Sequence, residues 1–470
     1  MEDAGAHDAQ GAGEALTAYR LGEQQMQAGR LEEAAQSFRQ ALALDTQFAE
    51  AHANLGYVLD QMGQHAEAEG HYRRALKMTP DNAPLHLNLG ALLALQKRHA
   101  EAEASYGAAL ALEPDSSAVW SNLGVLNLNL KNDERAEACL RKAMALDPAN
   151  TRARFNLAYL RLRHGHFEEG WALFEARDWY RAMEQQLAFP RWRGEALEGL
   201  SLLVTYEAGH GDVIQFCRYV PLLKAAGAAH ITLLCHPALK ELMATLDGLD
   251  AVCGFDDALG AQHFDYWMPL MSAPPHLGTG LDTVPATLPY LHADTALRAT
   301  WSARLLAGPL RVGLVWKGNP QFENDSDRSL PHLRMLAPLW QVPGAAFVSL
   351  QKGAGEAEVA ACSAQQPLTE LGSRMRHFAD AAAIVAELDL VIAVDTAMAH
   401  LAGALGKPCW LLLPWYMTDW RWGAEGSASV WYPDVVRLFR QGPDGDWNPV
   451  IADVALALLE RKTPRGAPCR

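Results

Sequence analysis

A chain of 470 residues is too long for one hydrophobic core and implies two or three domains. Half of it is apolar and a fifth charged, the balance of an ordinary globular protein. A formal net charge of −15 excludes a broad nucleic-acid footprint or an electrostatic hold on anionic membrane, so a phosphate-bearing ligand must be held by local positive groups. The opening M-E-D-A-G-A-H-D-A-Q has neither the basic start nor the apolar core of a signal peptide. No apolar run approaches the ~20 residues of a membrane span. The seven cysteines (Cys139, Cys217, Cys235, Cys253, Cys362, Cys409 and Cys469) form no close pairs. That pattern fits reduced thiols and a cytoplasmic location better than a disulfide framework or a zinc site.

In chain order, a small, polar lead gives way near Gly13 to a strict period. Gly22, Gly56, Gly90 and Gly124 are 34 apart, with Ala158 at the next step. Ala34, Ala68, Ala102 and Ala136 keep that interval, as do Phe38, Tyr72, Tyr106 and Leu140, and Pro80, Pro114 and Pro148 close three units. Period and pattern match the tetratricopeptide repeat, a helix–turn–helix unit. Small residues let two helices approach, large ones fill the gap, and Pro breaks the chain between units. A fifth, degenerate unit from Thr151 ends in F-E-E-G-W-A-L-F-E-A-R-D-W-Y. Its aromatics predict a terminal repeat docking onto a following domain. The array is expected to bind a protein or peptide on its concave face, a spacer or dimerisation element being the alternative.

Beyond it, strands and helices alternate, which predicts doubly wound parallel sheet in two halves. The apolar run Leu200 to Thr205 leads into Y-E-A-G-H-G-D-V-I-Q-F, a strand, a glycine loop and a helix start. Ile214 occupies the third glycine position of a dinucleotide fingerprint, so an NAD site is weakly supported. Gly211 and Asp212 lie at that helix start. The second half opens with R-V-G-L-V-W-K-G-N-P, which places Lys317 and Asn319 after a strand. The polar passage that follows carries Arg328. A strand from Ala346 to Leu350 ends at Gln351-Lys352, and H-F-A-D-A-A-A-I-V begins a helix at Phe378. Next, the buried run Leu390 to Val394 stops at Asp395-Thr396 and becomes an Ala-rich helix with His400 one turn in. Helix N-termini beyond the carboxyl ends of such strands attract anions. A last strand, Trp410 to Leu413, runs into P-W-Y-M-T-D-W-R-W, where Asp419 and Trp420 lie near the same edge. The aromatics of that loop suit either a stacked sugar or the core.

G-H-G-D-V-I-Q-F resembles the G-D-V segment of the heptosyltransferase-like enzymes of glycosyltransferase family 9, and D-T-A-M-A-H-L-A-G-A-L-G-K-P resembles their D-[ST]-x-x-x-H-x-A-x-A-x-G motif. R-S-L-P at Arg328 is similar to their basic-residue segment, where Lys is the commoner residue. With its repeats, the whole is similar to bacterial tetratricopeptide-repeat glycosyltransferases. The resemblance implies a GT-B fold, two Rossmann-like halves facing a cleft, with the C-terminal helix, about Val450 to Arg461, crossing back. The implied layout is a disordered N-terminus (1–14), four full repeats plus one degenerate (15–185), an acceptor-side half (186–300) and a donor-side half (301–470). It also implies inverting, metal-independent transfer of a hexosyl or heptosyl group from a nucleotide-sugar co-substrate, with no other cofactor. By the same resemblance Asp212 is the catalytic base, and Asp395, Thr396 and His400 are donor-binding. Lys317, Asn319, Arg328, Gln351, Lys352 and Phe378 complete the donor side, with Gly211, Asp419 and Trp420 in loops near the cleft. Ala397 replaces the Gly usual in the heptosyltransferases proper, which points away from heptose. Two rivals stand beside this reading: a repeat scaffold with an inactive GT-B domain, and a nucleotide-sugar epimerase that needs no acceptor.

Overall fold

The computed structural model describes residues 2–257, 263–305, 310–362 and 368–462, with side chains described from residue 11 to 461 of these. They form two compact units, Met1–Leu157 and Ala158–Arg470.

The first unit is made of antiparallel helix pairs: α1 (Glu2–Gln27) with α2 (Leu31–Leu44), α3 (Ala49–Gln61) with α4 (His65–Met78), α5 (Ala83–Leu95) with α6 (His99–Leu112), and α7 (Ser117–Asn129) with α8 (Asp133–Leu146). The N-terminal residues expected to be disordered form the start of α1. The 34-residue period has a steric cause. A Cβ on Gly22, Gly56, Gly90 or Gly124 would lie 2.6, 2.8, 2.6 or 2.7 Å from Phe38, Tyr72, Tyr106 or Leu140, the large residue of the paired helix. Ala34, Ala68, Ala102 and Ala136 are fully buried along the same seam. The turn inside each pair needs a left-handed residue: Gly29 and Gly63 supply it (φ 73° and 74°), but Lys97 and Lys131 adopt it too (φ 60° and 57°). Asn82 caps α5 by accepting from the Leu85 amide at 3.0 Å.

The second unit begins within the helix α9 (Thr151–Arg163) and continues with α10 (Phe167–Phe174). Here two all-parallel sheets follow one another. Strands β1 (Ser201–Thr205), β2 (His230–Cys235), β3 (Ala251–Gly254) and β4 (Tyr266–Pro269) form the first, in the order β3-β2-β1-β4. Strands β5 (Leu310–Val315), β6 (Ala345–Ser349), β7 (Leu368–Glu370), β8 (Leu390–Val394), β9 (Cys409–Leu413) and β10 (Val436–Arg440) form the second, in the order β10-β9-β8-β5-β6-β7. Every residue of β8 and β9 is buried, as an unbroken apolar run requires of a strand covered on both faces. Strand order reverses between β1 and β4 and again between β5 and β8, the two places where crevices open at the carboxyl edge of such sheets.

Three features depart from the sequence reading. The edge strands β7 and β10 were not expected, and a helix, Thr295–Ser302, lies across the expected boundary between the two halves. The C-terminal helix (Asn448–Lys462) does not cross back. Its Val450, Ile451, Val454 and Leu458 belong to one buried cluster with Val312, Leu314, Phe347 and Ile392 of the second sheet. Arg461 also donates to the Asp389 carbonyl at 3.0 Å.

Among the described residues no helix is long and apolar enough to cross a membrane. Cys139, Cys217, Cys235, Cys253 and Cys409 are free thiols; Cys469 lies outside the described residues, and the Cys362 side chain is not among those described.

Candidate functional site

Helix α11 (His210–Phe216) starts at the carboxyl edge of β1. Tyr206 to Gly209 turn the chain, with Ala208 forced left-handed at φ 58°. Upstream, Glu207 is anchored in the interior: Arg177 Nε and Nη2 each donate to it at 2.9 Å, and the Met271 amide donates at 2.8 Å. Both side chains of that pair are buried. Asp212, five residues on, closes a capping box by accepting from the Gly209 amide at 2.7 Å.

Helix α12 (Phe378–Ala386) precedes β8, and α13 (Ala397–Ala404) follows it after Asp395 and Thr396. Thr396 holds the N-cap position in an extended conformation, yet its hydroxyl caps nothing; that oxygen is buried with no hydrogen-bond partner among the described residues. The starts of α11 and α13 meet face to face. A Cβ on Gly211 would fall 2.9 Å from His400 Cδ2 and 3.4 Å from Ala397 Cα, so only glycine permits this approach. His400 is buried, stacks on Trp422 with centroids 5.2 Å apart, and shares a 2.9 Å hydrogen bond between Nδ1 and the Tyr432 hydroxyl. Burial, reinforced by the Arg421 and Arg218 charges, pushes its pKa well down and keeps it neutral.

Arg421 joins the two halves. It sits in the turn Trp420–Trp422, which Asp419 caps by accepting from the Arg421 amide at 2.9 Å. Its Nη1 donates to Asp419 Oδ2 at 2.9 Å and its Nη2 to Asp212 Oδ1. Burial pushes the Asp212 carboxyl above the usual range, with Arg421 pulling the other way. Asp395, half-buried at the end of β8, is pushed up to about 6 by burial and by the Asp419 charge.

The donor-side candidates divide by what already holds them. Arg328 reaches the crevice: Nη1 donates to the Asp395 carbonyl and Nε to Asp325 Oδ1, both at 3.1 Å, and its guanidinium covers the Phe322 ring. Gly318 makes room for it, since a Cβ there would lie 2.6 Å from Arg328 Nη2. Gln351 ties β6 to β5, accepting from the Trp316 and Lys317 amides at 2.9 and 3.0 Å and donating to the Lys317 carbonyl at 3.0 Å. Lys317 pairs with Glu358 at 2.7 Å, and Lys352 donates to the Met375 carbonyl at 2.7 Å. Asn319 accepts from the Gln321 amide within its own loop. Phe378 stacks on His210, with centroids 5.3 Å apart, and so bridges α12 to α11. Trp420 is core: buried, it packs edge-on against Trp171 of α10 at 5.3 Å and near Phe174 and Trp431. Phe167, Trp171 and Phe174 of the degenerate repeat are therefore consumed by this cluster.

Sequence reasoning singled out the D-W-R-W turn through Asp419 and Trp420 but passed over Arg421, which touches the facing half. The only available signal was a cation two residues from the capping acid. Tyr432 and Arg218 were also missed. Arg218, buried, donates to the Trp431 carbonyl and to the Tyr290 hydroxyl.

Comparison with known proteins agrees with this architecture. The chain carries tetratricopeptide repeats, matched over residues 22–63, 61–121 and 117–150, and a glycosyltransferase family 9 (heptosyltransferase) domain, matched over residues 345–411. Protein FlbA of Caulobacter vibrioides is 29% identical over 326 residues, covering 63% of this chain and 53%, about half, of FlbA. Among solved structures, Pseudomonas aeruginosa pilF is 28% identical (35% of this chain, 77% of that one, TM-score 0.33). A thermophilic TPR protein of Thermus thermophilus is 24% identical (36% and 91%, TM-score 0.31).

Proposed function

We propose that this chain transfers a sugar from a nucleotide-sugar to an acceptor, with inversion and without a metal, and that the repeats recruit a protein carrying that acceptor. The observation that carries this reading is the apposition of the α11 and α13 starts. It sets a carboxylate, Asp212, opposite a helix start bearing an uncommitted hydroxyl, Thr396, at the switch point of the second sheet.

The chemistry follows from these groups. Asp212 takes the proton from the acceptor hydroxyl as that oxygen bonds to the anomeric carbon. The bond from that carbon to the diphosphate oxygen breaks, and the diphosphate leaves with the electron pair. The α13 amides, the Thr396 hydroxyl and Arg328 offset its developing charge. Asp212→Asn should fold normally and lose transfer by roughly 10²- to 10⁴-fold, the usual contribution of a general base. A transfer assay on purified chain with a nucleotide-sugar panel checks this; unchanged turnover in the variant removes Asp212 from the mechanism. Because the pKa of Asp212 is raised, kcat/KM should climb with pH through a range above that of an ordinary carboxylate and flatten beyond it.

One observation favours a second reading, a scaffold whose GT-B part is inactive: Asp212 is already engaged by Arg421 and the Gly209 amide. Partner binding that ignores nucleotide-sugars and survives Asp395→Ala would support it.

A further inference from the structure

Within the transferase reading, and resting on it, we propose that Arg421 is a positioning residue for which Asp212 and the donor diphosphate compete, so that the donor must bind first to release Asp212 for the acceptor proton. Both oxygens of the acid are engaged in this structure. Oδ1 takes Arg421 and Oδ2 takes the Gly209 amide, and only 20% of the side chain is exposed. A carboxylate shared with a guanidinium is a poor proton acceptor. Freed from it in the same buried surroundings, it becomes a good one.

Arg421 is placed to be drawn away. It is 93% buried, since 7% of its surface is exposed, and its Nε donates to no described group although buried. Three carboxylates compete for it, with Arg328 beside Asp395 as the neighbouring cation. Asp212 approaches from α11, Asp419 from its own turn and Asp395 from the end of β8, while neutral His400 faces it from α13 and the Tyr159 hydroxyl from α9. The rings of Phe216 and Trp420 lie against the guanidinium, with centroids 5.4 and 4.8 Å from its central carbon. A diphosphate at the α13 start offers several anionic oxygens in the fork geometry that guanidinium prefers. Binding of the anion at Thr396 and pairing of Asp212 with Arg421 are then mutually exclusive in part, and linkage makes that antagonism reciprocal.

The test is calorimetric titration of the full chain with inorganic pyrophosphate. Asp212→Asn, which removes the competitor while keeping its shape, should tighten binding about five- to tenfold, within the usual range of site–site coupling. Arg421→Gln should weaken it at least tenfold, with Arg421→Lys recovering part of the loss, and the gain from Asp212→Asn should vanish in the double variant. The idea is overturned if Asp212→Asn leaves affinity unchanged or lower in a folded chain. It is equally overturned if the gain persists without Arg421, which would mark a diffuse charge effect, or if pyrophosphate binds none of the five forms. A second readout separates positioning from scaffolding: Arg421→Gln should shift the acidic limb of the kcat/KM profile upward, which a strut would not do. If the pyrophosphate pattern holds but Asp212→Asn retains full transfer, the clamp stands and the assignment of Asp212 as base falls.

Discussion

Asp395 carries a conflict that stability measurements can read. Burial and the neighbouring Asp419 charge raise its pKa to about 6 in the fold, against about 4 in an unfolded chain. The folded state therefore prefers the protonated acid. Its contribution is fully present below pH 4 and is lost as pH rises through about 6, so at neutral pH the wild-type chain carries the cost of an ionised buried acid. Asp395→Asn should melt several degrees higher than wild type at about pH 7.5, with the difference closing below about pH 4 in a thermal scan. Two pKa units correspond to at most about 3 kcal/mol. The same variant should bind the donor worse, since a strained acid kept at a helix start is the kind of local cost that functional sites retain. A difference between variant and wild type that is the same at both pH values would show that Asp395 is solvated rather than buried.

Among the elements, the repeat seam and the anchor beneath the α11 loop leave little room for change. Gly90 faces Tyr106 with no space for a side chain. Gly90→Val should cost about 1–3 kcal/mol or more by overpacking, read as an earlier loss of helical circular dichroism, whereas exposed Gly107, with nothing within 4 Å of its Cβ, should tolerate the change better. Glu207 and Arg177 form a buried ion pair, so Glu207→Ala leaves the buried guanidinium with Glu175 as its remaining carboxylate and should destabilise the second unit by up to about 3–5 kcal/mol, measured by denaturant unfolding. The two elements differ in how far the sequence announced them. The glycine–aromatic seam was legible because one steric solution is repeated at a fixed interval. The Arg177–Glu207 pair was not, because its partners are 30 positions apart and each reads alone as a surface charge. The strands β8 and β9 were legible as unbroken apolar runs, while β7 and β10 were not: β7 is three half-buried residues and β10 mixes two arginines into an edge. Such edges borrow their definition from the neighbouring strand.

At the scale of the whole molecule, the acidic chain holds its cations in ion pairs or in carbonyl contacts around one crevice: Lys317 with Glu358, Arg328 with Asp325, Arg421 with Asp419 and Asp212. A nucleotide diphosphate has to enter that balanced set, so binding should respond to salt. A thermal-shift panel of ADP-, UDP-, GDP- and CMP-sugars is the broadest check; a ligand at ~100 times its Kd stabilises the native state by about 2.7 kcal/mol. One class should raise the melting temperature, and Asp395→Ala or Arg328→Ala should erase the rise. A flat response to all four would favour the scaffold.

The sequence by itself determined the elements: the repeat period, the alternation of strands and helices, and the residues at each helix start, because local sterics, apolar runs and capping chemistry act within a few positions. It placed Asp212 beside a glycine loop and Asp395, Thr396 and His400 at one strand end. What only the tertiary structure decided is which of these groups are spent. Gln351 and Lys352 are committed to backbone, Trp420 to the core and the C-terminal helix to the second sheet, while Arg421, 209 positions from Asp212, closes on it. Those outcomes depend on packing between distant segments, where burial sets the strength of every charge and no local pattern records the partner.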